Sequence, residues 1–113
     1  MPGVPELDVT FTAQAKARIT AFLSSITGYE PTLCLMKAYA PDEPKDRWTY
    51  GSYGPDNLKS VGPALERLGH PLLYLADDLV VAIPQFNFVP ELVGKTLALT
   101  VGGLEVLERE PGI

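Results

Sequence analysis

In the run Thr96-Leu97-Ala98-Leu99-Thr100-Val101-Gly102-Gly103-Leu104-Glu105-Val106-Leu107-Glu108, two β-prone apolar segments meet at a pair of glycines. Glycine tolerates the positive φ values that a two-residue turn demands, so the run predicts an antiparallel hairpin of 96–101 with 104–108, Gly102-Gly103 at its tip. Working back along the chain, Leu72 to Ala76 and Leu79 to Ile83 repeat the arrangement around Asp77-Asp78, a second hairpin turn that lacks the preferred glycine. Between the hairpins, Pro84 and Pro90 bracket Gln85 to Val89. Two missing backbone donors argue against a central strand there, so an irregular segment or short turn is expected, with Phe86 and Phe88 as a plug over the sheet.

The amino-terminal half adds a helix and two more strands. Thr12 is a good N-cap, and Ala15, Ile19, Phe22, Leu23 and Ile26 recur at helical spacing before Gly28 stops the pattern, which predicts a helix over residues 13–26. A short extended segment, Asp8 to Phe11, precedes it. Thr32 to Tyr39 is apolar on both faces, as a central strand is, and Arg47 to Tyr53 alternates in the manner of its hairpin partner. Gly54 to Ser60 reads as loop, and Pro63, in a first-turn position, opens a short helix through Leu65, Leu68 and Gly69. The whole is an α+β chain of mixed or antiparallel hairpins packed with an amino-terminal helix: a tail over 1–7, one domain over 8–108, and a tail over 109–113.

Composition agrees with one packed domain. The 113 residues are 46% apolar and 20% charged, a balance suited to a globular core. Nine Lys and Arg against fourteen Asp and Glu give a net charge of −5, which repels phosphate backbones and anionic lipid heads and speaks against nucleic acid and membrane as partners. Met1 to Pro5 lacks the basic and apolar regions of a signal peptide, so a cytoplasmic protein is expected. One cysteine, Cys34, and one histidine, His70, cannot build a four-thiolate metal site, an intrachain disulfide or a histidine-based triad.

Two blocks resemble the HesB-like family, the A-type carriers of iron–sulfur cluster assembly. Val9-Thr10-Phe11-Thr12-Ala13-Gln14-Ala15-Lys16-Ala17-Arg18-Ile19 is similar to the family's opening strand, threonine cap and alanine-bearing helix. The second block runs from Leu72 through Asp77-Asp78 to Ile83, then Leu92-Val93-Gly94-Lys95-Thr96-Leu97, then Gly103-Leu104-Glu105-Val106. It is similar to the family's hairpin, leucine-glycine-leucine step and closing hairpin. The resemblance implies a HesB-like fold over about two thirds of the chain. The family holds iron or a cluster through one loop cysteine and a cysteine-glycine-cysteine tail, since soft thiolates suit that ligation. Here the loop Ala40 to Arg47 and the ending Glu108-Arg109-Glu110-Pro111-Gly112-Ile113 carry no cysteine, Cys34 falls within a strand, and Gly54 to Gly69 looks like an insertion.

The remaining candidates divide by residue chemistry. Cys34 between Leu33 and Leu35 reads as a packed thiol, and His70 between Gly69 and Pro71 as a turn residue. The pairs Asp42-Glu43, Asp77-Asp78 and Glu108 with Glu110 read as solvated turns and tails, and Gly51-Ser52-Tyr53-Gly54 lacks the lysine of a phosphate loop. Tyr39, Trp48, Tyr50 and Tyr53 form a candidate interaction surface, because Trp48 and Tyr50 share a strand face and large rings with polar edges suit interfaces. The function expected is that of a non-catalytic HesB-like scaffold acting through contacts with a protein partner or a second copy, with no cofactor, no metal and no cluster of its own. Two rivals stand beside it: an iron or cluster carrier using Cys34 in an oligomer, and a small enzyme built on carboxylates or tyrosines.

Overall fold

A computed structural model of the chain describes residues 4–37 and 47–109. Seven strands and two α-helices follow one another as β1 (Val9–Phe11), α1 (Ala13–Ser24), β2 (Thr32–Lys37), β3 (Arg47–Tyr53), α2 (Pro55–Arg67), β4 (Leu73–Ala76), β5 (Leu79–Ala82), β6 (Lys95–Thr100) and β7 (Gly103–Glu108), with a 3₁₀ helix over Phe86–Glu91. The class is mixed α+β, and the strands form one mixed sheet in the order β1-β6-β7-β3-β2-β5-β4. β1 pairs with β6 and β2 with β5 in parallel, and the other neighbours are antiparallel.

The two ends of that order meet. Leu7 N donates to Leu75 O (2.9 Å) and Leu75 N to Pro5 O (2.8 Å), so the chain just before β1 lies against β4. Phe11 N then donates to Asp77 Oδ2 (3.0 Å) at the β4–β5 turn. The sheet therefore curls into a ring, which brings its two outermost strands, β1 and β4, together. Within the stretch expected as a tail over 1–7, Pro5 to Leu7 is bound in this way, and Leu7 is buried.

Inside the ring sit Val9, Phe11, Leu33, Leu35, Trp48, Tyr74, Ala76, Val81, Leu97 and Leu104. Helix α1 packs against β1, β6 and β2, strands from different parts of the ring, and sends Ala15 and Ile19 into the same core. Thr12 caps it as its sequence predicts, its Oγ1 accepting from Ala15 N (3.2 Å), but the helix ends at Ser24, short of Ile26. Outside the ring, Leu58, Val61 and Leu65 of α2 cover Leu72, Leu73 and Ala82. Helix α2 corrects the expected loop over 54–60. Pro55 is its first residue, Asn57 Oδ1 accepts from Gly54 N–H (2.8 Å), and Pro63 lies in the interior rather than the first turn.

Both hairpins form. Asp77 and Asp78 take φ of 48° and 67°, the two positive angles of a type I′ turn. At the other hairpin Thr100 pairs with Gly103, so the tip is Val101-Gly102, one residue before the expected pair. Gly102 supplies the positive φ (83°), while Gly103 supplies space, because a Cβ there would collide with the carbonyl oxygen of Trp48. The proline-bracketed segment is a 3₁₀ turn that packs Phe88 and Val89 against the core. It is tied to β2 where Gln85 Oε1 accepts from Lys37 N (2.6 Å) and Lys37 pairs with Glu91.

Candidate functional site

The four aromatic residues singled out in the sequence do not share a surface. Trp48 and Tyr50 do point to one face of β3, as alternation requires, but that face is the interior. Trp48 is 0% exposed, which removes it as a contact residue of the folded chain. The reason is physical: with the ring closed around it, the indole is the largest side chain available to fill the centre. Tyr53 points the opposite way, toward α2, where it hydrogen-bonds Cys34. Tyr39 and the loop 40–46 lie outside the described residues. Of the three described members of the set, Tyr50 lines a concave surface.

Cys34 is 3% exposed between β3 and β5, opposite Gly51 and Ala82. Burial pushes its thiol above the ordinary range, and the hydrogen bond from Tyr53 only partly opposes this. Tyr53 is raised in turn by burial, by the neighbouring sulfur's charge and by that same hydrogen bond. The pair is thus a neutral packed contact, the opposite of the electropositive, exposed setting that activates a thiolate. His70 stacks on Phe86, the rings 4.0 Å apart and 15° from parallel, which anchors the end of α2 on the 3₁₀ segment.

Several acidic residues have structural partners, while Asp42, Glu43 and Glu110 lie outside the described residues. Asp77 accepts from Phe11 N and pairs with Lys16 (3.4 Å), Asp8 pairs with Arg109 (2.7 Å), and Glu108 pairs with Lys95. Among the described residues no three His, Cys, Asp or Glu side chains gather as metal ligands would, and no helix is long and apolar enough to cross a membrane.

The site that geometry offers instead is a groove of about 630 Å³ beside the β6–β7 turn. Phe22 and Tyr50 meet there edge to face (centroids 5.3 Å apart, planes at 79°) and form one wall with Leu99. Val101, at 88% exposed, stands on the rim, and Arg18 from the exposed face of α1 reaches the opening. Thr49, Thr100 and the glycine turn add hydroxyl and backbone groups. Among the described residues the lining holds no carboxylate, imidazole, thiol or amine, so it can bind apolar and anionic groups but offers no acid–base pair. Compared with protein-family models, curated proteins and solved structures, the chain has no match. Sequence reasoning passed over this groove because Arg18 and Phe22 count there only as helix positions and Val101 only as a strand end. An apolar residue at the tip of a hairpin is the one signal that pointed to it.

Proposed function

We propose that the chain is a non-catalytic relative of the HesB-like scaffolds that acts through contact with another protein, the groove beside the β6–β7 turn being the contacting face. One observation carries this reading: a concave aromatic wall and a nearly fully exposed valine lie side by side on the surface. Large rings with an apolar rim are what interface anchors consist of, and the groove's lining offers binding groups without catalytic ones. The kinship with HesB-like proteins is supported by the succession of short strand, threonine-capped helix and closing hairpins, and by Gly94, whose φ of 79° sits between the buried Leu92 and Leu97. Carriage of iron through Cys34 fits less well, since its sulfur is enclosed between the sheet and α2 and its thiol is held neutral. Tyrosine-based chemistry meets the same obstacle at Tyr53 and Tyr74, whose phenols burial raises.

A photoreactive residue at position 101, compared with one at the exposed Val80, tests the reading. A specific protein adduct from 101 and none from 80 is the expected result. Equal labelling from both positions, or none from 101, overturns it.

A further inference from the structure

The groove borders an open strand edge. Strands β3 and β7 pair only through Arg47–Glu105 and Trp48–Leu104, because β3 continues past the point where the β6–β7 hairpin turns back. Thr49 lies against Gly103 at the start of β7, and from Tyr50 to Tyr53 β3 is bound to β2 on one side and, among the described residues, to no strand on the other. These four residues are half-buried, so the edge remains within reach of solvent. Arg18 lines the groove together with Tyr50, where this edge begins, and among the described residues no carboxylate lies within ion-pair distance of its guanidinium.

We infer that this edge takes an extended acidic peptide segment of a partner protein, which adds to β3 as a further strand. The backbone of such a segment would satisfy the unpaired side of β3, and its alternate side chains would face the groove. An apolar side chain then lies against Phe22, Tyr50 and Leu99, and a carboxylate two residues away reaches Arg18. Arginine favours carboxylate because its planar fork donates two parallel hydrogen bonds. An acidic segment supplies the counter-charge that Arg18 lacks among the described residues, which is why the occupant is acidic. This mode of recognition rests on the protein-contact reading above, and it fixes the class of partner that the reading leaves open.

Selection of displayed random heptapeptides on the full chain, followed by fluorescence polarisation of the selected peptides, tests it. The expected peptides carry an acidic residue two positions from an apolar one. Arg18→Gln, a change on an exposed helix face that leaves the melting temperature unchanged, weakens their binding by about tenfold. Methylating alternate peptide nitrogens weakens it as well, and amide resonances of residues 50–53 shift on binding. Failure to select any peptide, or binding indifferent to both Arg18→Gln and backbone methylation, overturns strand addition. If peptide binding fails while the adduct at position 101 persists, strand addition falls and the contact reading stands. If peptides bind as expected while the adduct is absent, strand addition stands and Val101 drops out of the contacting face.

Discussion

At the scale of single residues, Trp48 is the largest fully buried side chain among the described residues, and its indole Nε1–H has no hydrogen-bond partner among them. Two substitutions separate its contributions. Trp48→Ala removes the ring and leaves a cavity in the centre of the closed sheet, at a cost of about 3–5 kcal/mol. Trp48→Phe keeps most of the apolar volume and deletes the unpaired donor, whose burial is itself unfavourable, so its cost is about 1 kcal/mol or less. Urea unfolding distinguishes them, and equal losses would mean that the donor is satisfied in solution. The adjacent Gly103 is read by its surroundings rather than its backbone angle. Gly103→Ala drives a methyl group into the Trp48 carbonyl and destabilises by roughly 1–3 kcal/mol, whereas Gly51→Ala, with nothing within 4 Å of its new Cβ, is close to neutral. The sequence placed Trp48 and Tyr50 on one face correctly, since alternation is local. Which face was interior depended on ring closure, and no pattern within β3 encodes that.

At the scale of elements, the Asp77-Asp78 turn shows how one short segment serves two purposes. Asp77 holds the amino-terminal strand through Phe11 N and pairs with Lys16, whereas the Asp78 side chain is almost fully exposed and lies 4.0 Å from Lys16. Both residues strain a non-glycine backbone with positive φ, but only Asp78 can be relieved without losing the tie to β1. Asp78→Gly therefore raises stability by about 0.5–1 kcal/mol, while Asp77→Ala leaves Phe11 N without its acceptor and costs about 1–3 kcal/mol. Thermal unfolding of the two variants should move in opposite directions, and a shared direction would contradict this division. Both hairpins, β2, β3 and the Thr12 cap could be read from the sequence because each depends on neighbours a few residues away. Helix α2 was placed late because Pro63 drew the first turn to itself, although Pro55 and the spacing of Leu58, Val61 and Leu65 carried the true start. Proline in a helix interior removes one hydrogen bond, and here the apolar stripe packed on the sheet outweighs it.

At the scale of the whole molecule, closure of the sheet depends on contacts between distant parts of the chain, such as the Thr10–Thr96 hydroxyl pair and the Leu7–Leu75 backbone bond. Parallel pairing of β1 with β6 and of β2 with β5 leaves no mark in local sequence, so neither the ring nor the gap beside β3 could be foreseen from it. Packing also holds three weak acids in neutral form, Tyr74 inside the ring and Cys34 and Tyr53 between the sheet and α2. Cys34, Tyr53 and Tyr74 all have pKa values raised first of all by burial, from ordinary values of 9.0 for the thiol and 10.0 for the phenols. The folded chain then holds protons more tightly than the unfolded one, so stability falls with rising pH wherever the unfolded groups have ionised and the folded ones have not. Their contribution is complete below pH about 9 and is lost as pH climbs through the raised values, the thiol acting first. Alkaline pH acts on the whole chain, so the test must be a difference. Between about pH 8.5 and 10, the melting temperature of Cys34→Ala should decline less steeply than that of the unmodified chain, although the variant starts lower because it loses packing. Parallel declines would show that Cys34 keeps an ordinary pKa and that its strand opens to solvent well before the molecule unfolds.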